Sequence, residues 1–285
     1  MFRSRLRHAW LSRPFQQNRS VTPEALEARR LFAAVAADPG SDPAADPPVD
    51  NNPPQVVAVY VNGSTWTDSF RTALEADHEG SALFGAETDS VNVEAGQNFR
   101  EHVLGWVGIN QVSIQFDEDV SVQQDDLIIT GVNQATYAPT AFAYDAEHFT
   151  ATWTLPAPVN NDVLTIRLEG SDATGVTDLA GNPLQGNCPD EGGNPGPGGN
   201  PGRDYCELLP ILAGDVTRDG VVNARDLGLV KAHLNARSTG SSSDRYDVFA
   251  DANGDAAINA LDLALVKQRL NSRLPASSAA AMLGA

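Results

Sequence analysis

The sequence predicts a mainly β fold, a sandwich of short strands, followed by a small α-helical domain made of two acidic loop–helix units. Three observations carry this. Between residues 55 and 186 apolar and polar residues alternate with period two in several short runs. Turn-forming residues separate the runs. Near the C-terminus "GDVTRDGVVNARDLGLVKAHL" (214–234) nearly recurs as "ADANGDAAINALDLALVKQRL" (250–270), displaced by 36 positions. Period-two alternation marks half-buried strands. An apolar stripe at three- and four-residue spacing marks a helix.

In chain order, residues 1–36 form a basic segment in which Arg3, Arg5, Arg7, Arg13, Arg19, Arg29 and Arg30 face only Glu24 and Glu27. Such a head suggests targeting. No apolar run of secretory-signal length follows the arginines. "TPEALEARRLFAAV" (22–35) has the marks of a short helix, with Thr22 as cap and Pro23 at the first turn; the alternative is a solvated amphipathic tail. Within it "ALEARRLFAA" resembles the Leu-Glu-Pro-Arg type export motif of bacterial proteins, with Ala28 where that motif has proline. Residues 37–54 are rich in Pro, Asp and Ala and read as an unpacked linker.

Residues 55–186 hold the strands. "QVVAVYV" (55–61) is a continuous apolar run. Val112, Ile114 and Phe116 alternate with polar neighbours, as do Phe149, Ala151, Trp153 and Leu155, and Leu164, Ile166 and Leu168. "DDLIITGV" (125–132) and "TAFAYD" (140–145) add two candidates. "DSFRTALEA" interrupts the series as a short helix from Asp68. The strand "SIQFDEDV", the strand "FTATWTL" and Asp178 with Gly181 and Asn182 resemble a bacterial Ig-like domain. That resemblance implies a non-catalytic spacer or presentation module.

Residues 187–206 are a Gly/Pro-rich loop flanked by Cys188 and Cys206. Two cysteines closing such a loop read as a disulfide in an oxidising compartment; the other reading is two separate thiols. Residues 207–273 hold the repeat and 274–285 a loose tail.

In register, Asp215, Thr217, Asp219, Val221, Asn223 and Asp226 occupy positions 1, 3, 5, 7, 9 and 12 of the first loop. Asp251, Asn253, Asp255, Ala257, Asn259 and Asp262 occupy them in the second. Side-chain oxygens at 1, 3, 5 and 12, a carbonyl at 7, and position 9 direct or through water make a calcium loop. Clustered carboxylates repel one another unless a cation intervenes. Two Ca²⁺ sites are therefore expected. The bland alternative for any one loop is a solvated acidic turn. The matched pairs Leu227/Leu263, Leu229/Leu265, Val230/Val266 and Leu234/Leu270 favour a real duplication.

This pattern resembles the type I dockerin over residues 214–272. The resemblance implies two antiparallel loop–helix units with near two-fold symmetry, docking a cohesin domain of a partner. The family's partner-reading positions 10 and 11 carry Ala224 and Arg225, then Ala260 and Leu261, rather than Ser/Thr pairs. Leu261 is either an exposed anchor or a core residue. "DRYDVFAD" (244–251) is expected to deliver Phe249 to the core between the units. Position 6, which needs a positive φ, is Gly220 in the first loop and Ala256 in the second. On that ground the second loop is expected to bind more weakly.

The chain carries a net charge of -18 and a pI near 4.5, which argues against a nucleic-acid partner. No stretch approaches the roughly 20 apolar residues of a membrane span. Nucleophile-elbow, zinc-protease and phosphate-loop motifs are absent, and His8, His78, His102, His148 and His233 are scattered. Glu101 beside His102 is a pair by adjacency only. A non-catalytic extracellular or cell-surface protein is the expected function. The alternative is a component of a polysaccharide-degrading system, binding carbohydrate or hydrolysing O-glycosyl bonds. Clustering of Trp66 and Trp106 on an open face would favour that alternative, and burial would favour the spacer. A third reading is that 207–273 binds only calcium and caps the chain end.

Overall fold

A computed structural model describes residues 50–88, 102–170, 174–189, 199–238 and 245–276. The expected targeting segment, residues 37–49 of the linker and most of the tail lie outside them. From Val49 onward the chain makes one compact unit, mainly β with few helices.

The elements in order are β1 (Val56–Gly63), α1 (Asp68–Ala76), β2 (Gly80–Ser81), β3 (Gly85–Glu87), β4 (Ile109–Phe116), β5 (Val120–Ser121), β6 (Leu127–Gly131), β7 (Ala141–Asp145), β8 (Thr150–Thr154), β9 (Asn161–Leu168), β10 (Thr177–Asp178), β11 (Gln185–Gly186), β12 (Asn200–Pro201), β13 (Tyr205–Leu212), α2 (Ala224–Ala232) and α3 (Ala260–Gln268). Six strands form one antiparallel sheet in the order β2-β3-β1-β4-β8-β7, and three form a second, β13-β9-β6. Two short ribbons, β10-β5 and β11-β12, complete the set.

The alternation has its expected cause. Val112, Ile114 and Phe116 on β4, Ala151 and Trp153 on β8, and Leu164, Ile166 and Leu168 on β9 are all buried in one shared apolar core. The unbroken run on β1 is a strand with Ala58, Val59, Tyr60 and Val61 all buried, because it lies inside the large sheet between β3 and β4. Helix α1 starts at Asp68 with Thr67 as its cap, whose side chain accepts from the Phe70 amide. The Asp178 turn forms as expected: its carboxylate accepts from the Asn182 amide at 2.7 Å, and Gly181 takes φ +91°.

Several expectations need correction. Phe149 is not part of the strand; it sits just before β8 in a left-handed conformation, φ +51°, and packs half-buried against the core. Residues 50–54 are not wholly linker, since Pro54 is buried and its carbonyl accepts from Gln185. The loop 187–206 is not all loop, since β12 within it pairs with β11, while the expected disulfide between Cys188 and Cys206 does form, with Cα atoms 5.0 Å apart. Residues 207–212, expected to open the C-terminal domain, belong to β13, which pairs with β9 over eight residues from Tyr205↔Leu168 to Leu212↔Asn161. Pro210 hides this strand in the sequence. It is tolerated because β13 is an edge, where the covering segment bonds through the Leu104 amide to the Pro210 carbonyl at 2.8 Å.

Candidate metal centre

The chain leaves β13 at Leu212 and enters the first loop at Asp215. Each loop ends in a helix held by the same device. Asn223 caps α2, its side chain accepting from the Arg225 amide, and Asp226 reaches back to the Asn223 amide at 2.7 Å. Asn259 and Asp262 repeat this on α3, at 2.8 Å. Such reciprocal capping satisfies two orphan amides of the first turn.

The two units are related by a near two-fold. Val221 bridges Arg273, and Arg237 bridges Ala257, each pair shifted from the other by the repeat length. The Val222 amide donates to Ser272 and the Ile258 amide to Ala236, both at 3.0 Å. Asn235 and Asn271, three residues past the helix ends, take φ +65° and +70°, and their amides donate to the Ile258 and Val222 carbonyls, both at 2.8 Å. Val222, Ile258, Val230 and Val266 are fully buried between the units. The remaining matched leucines of the helices are half-buried.

Within the first loop Asp215 accepts from the amides of Asp219 (3.2 Å) and Gly220 (2.7 Å). Asp226 accepts from both the amide and hydroxyl of Thr217, each at 2.9 Å. In the second, Asp251 accepts from Gly254 (3.0 Å) and Asp255 (3.2 Å), and Asp262 from Asn253 (3.3 Å). Asn253 donates to the Asp255 carboxylate at 2.9 Å. Asn223 and Asn259 spend their side-chain oxygens on helix caps, and their amide groups donate to the Val221 and Ala257 carbonyls at 3.0 Å. Position 9 therefore suits a ligand reached through water.

Asp215, Asp226, Asp251 and Asp262 are completely buried. Among the described residues none of the four pairs with a lysine or arginine; their partners are neutral amides and hydroxyls. Buried carboxylates held only by neutral donors fit a hard cation, and every donor of the proposed sets is an oxygen. Burial, then the nearby Asp226 and Asp219, pushes Asp215 up to about 6. Burial likewise pushes Asp251 up to about 6, with Asp262 and Asp255 adding to it.

The folded value lies above the usual carboxylate range near 4. Without metal, the burden of these two buried charges is absent below about pH 4, grows between 4 and 6, and is complete above. A bound cation must displace the proton. Calcium affinity is expected to fall by about tenfold per site for each pH unit below 6, one proton being released per ion. Calorimetric titrations at pH 7.5, 6 and 5 check this; a flat affinity across that range would contradict it.

The backbone revises the ranking of the loops. Ala256 does take a left-handed conformation, φ +69°, matching Gly220 at +81°. Position 4 is left-handed too, as Arg218 (φ +59°) in the first loop and Gly254 (φ +68°) in the second. Each loop thus has one glycine and one strained residue, so backbone strain does not separate them. Ala256→Gly is expected to stabilise the protein by about 0.5–1 kcal/mol, the left-handed penalty less the entropy glycine adds to the unfolded chain. Gly220→Ala should have the opposite sign in urea unfolding.

Tyr246 was not legible as a site residue. Its hydroxyl donates to Asp251 at 2.5 Å. Pro210 stands at the equivalent place 36 positions earlier, so the first loop has no counterpart. Phe249 stands against Arg218 of the first loop, whose guanidinium lies 4.8 Å from its ring centroid, and it also stacks on Trp106 of the β unit at 5.3 Å. Trp66 and Trp106 form no open platform: both are buried, and they meet edge to face at 5.7 Å. Trp153 is core. Leu261 is 60% exposed. Glu101 lies outside the described residues.

Residues 213–271 match the family model of the dockerin type I domain. Domains of this type bind calcium and dock onto cohesin domains. No curated protein matches the chain. A crystal structure of the S-layer protein rSbsC is similar at 18% identity and a TM-score of 0.23, over 29% of this chain and 11% of that one. A likeness of that size carries no structural argument. No helix among the described residues is long and apolar enough to cross a membrane.

Proposed function

We propose that this is a non-catalytic extracellular or cell-surface protein. Its C-terminal unit takes two calcium ions, one in each loop, and docks a cohesin-like domain of a partner, while the β unit serves as an Ig-like spacer or adhesion module. In the first loop Asp215, Thr217, Asp219 and Asp226 supply side-chain oxygens and Val221 its carbonyl, with Asn223 acting through water. Asp251, Asn253, Asp255, Asp262, Ala257 and Asn259 take the same roles in the second.

The observation that carries this reading is the two-fold pair of loops with four fully buried carboxylates held by neutral donors. At positions 10 and 11 of each loop, Ala224 and Arg225 and then Ala260 and Leu261 are exposed at the helix starts, where a partner could reach them. The polysaccharide alternative needs Trp66 and Trp106 on an open face, and their burial supports the spacer instead.

A pull-down of the full chain with immobilised cohesin domains, with and without chelator, tests the docking. Capture should require calcium, and Leu261→Asp should weaken it by about tenfold or more through loss of an apolar anchor. Capture by no cohesin at all would leave calcium binding without docking. A glycan-binding and hydrolysis screen that returned turnover would overturn the non-catalytic reading.

A further inference from the structure

The second loop is gripped from outside by the β unit. The Thr67 amide donates to the Gly254 carbonyl at 2.9 Å, and the Thr67 hydroxyl reaches the same oxygen at 3.3 Å. The Val107 amide donates to the Ala252 carbonyl at 2.9 Å. These carbonyls belong to positions 2 and 4, on either side of the position-3 residue Asn253. Trp66 lies against Gly254: a β-carbon there would stand 2.7 Å from Trp66 Cδ1 and 3.1 Å from Phe70 Cδ1. Trp66 is itself fixed, donating from Nε1 to the Val107 carbonyl at 2.9 Å and packing on Phe70 at 5.1 Å. The first loop meets the β unit differently at position 4. There a side chain makes the contact, Arg218 Nε donating to the Val103 carbonyl at 3.2 Å.

We propose that Trp66 and Thr67 are positioning residues for the second calcium loop, so that its affinity is set partly by these two side chains while the first loop, which meets the β unit through other residues, does not depend on them. This rests on the reading that each loop takes one calcium ion. The peptides flanking Asn253 are held in the orientation that turns its side chain into the loop, and Trp66 occupies the space that keeps position 4 a glycine. Outer contacts that orient metal ligands commonly change metal affinity by about 10–100-fold when removed. Trp66 is also a local reporter, because it touches the second loop.

The test uses the full chain, titrated with Ca²⁺ by calorimetry and by tryptophan emission. Trp66→Leu is expected to weaken one of the two sites by about tenfold and leave the other within twofold, with Trp66→Phe recovering most of the loss. In an Asp255→Asn background, where the second loop is disabled, Trp66→Leu should not move the remaining site. In an Asp219→Asn background its effect should persist. Equal weakening of both sites would indicate general destabilisation and overturn the proposal, as would no weakening of either. Should Trp66→Leu not fold, emission decides: the calcium response must survive Asp219→Asn and vanish in Asp255→Asn, and the reverse overturns the proposal. If the unmodified chain binds no calcium, the calcium reading itself fails, and this proposal with it. If it binds two ions and the variants leave both unchanged, only this proposal fails.

Discussion

Stripped of calcium by chelator, the protein is expected to melt roughly 10–20 °C below its calcium-loaded form. An ion that binds only the folded state stabilises it by about 2.7 kcal/mol at a hundredfold excess over Kd. Two such sites give about 5 kcal/mol, and for a unit of this size each kcal/mol moves Tm by about 2–4 °C. The buried carboxylates explain why the folded state is the one that binds: Asp215 and Asp226 in the first loop, and Asp251 and Asp262 in the second, are enclosed with neutral donors only in the folded chain. Because the loop pair and the sheets share one compact unit, the shift should appear in the tryptophan signal of the β unit as well as in helical circular dichroism. Identical melting in EDTA and in millimolar Ca²⁺ would remove the basis of the calcium reading.

Trp106→Ala is expected to be the most damaging single substitution away from the loops, at about 3–5 kcal/mol. The side chain is buried at the centre of an aromatic group. It meets Trp66 at 5.7 Å and Phe70 at 6.1 Å edge to face, and Phe249 in a stack. Its Nε1 donates to the Val248 carbonyl at 2.9 Å, so truncation also strands an acceptor. Trp106→Phe keeps the ring and loses the donor, and should cost about 1 kcal/mol. Phe142→Ala, at a half-buried ring beside Trp153, should cost less than Trp106→Ala. Urea unfolding measures all three; a Trp106→Ala loss below 1 kcal/mol would show that the aromatic group does not bind the two parts together.

What the sequence recorded and what it did not divide along a physical line. Val112, Ile114 and Phe116 announce their strand because one face is dry and the other wet, a pattern written in consecutive residues. The loop ligands are equally local: spacing within twelve residues, written twice. Strand β13 escaped notice because its eight residues are buried throughout, Glu207 included. That carboxylate is housed by the hydroxyls of Thr88 and Tyr205, and nothing in "YCELLPIL" announces either the partners or the missing alternation. The grip of Trp66 on Gly254 joins positions 188 apart, and Tyr246 acts on a carboxylate whose own repeat partner has no such donor. Ala256 raised a real question about the backbone, but the answer lay at position 4, where Arg218 and Gly254 exchange the roles of strained and relaxed residue.

The two-residue passage from Leu212 to Asp215 leaves no room for a swivel between strand and loop. Tension applied through a partner held at the tail would enter the sheet along β13 itself. It would then act lengthwise on the eight-residue ladder with β9, so that many backbone bonds resist together instead of peeling in turn.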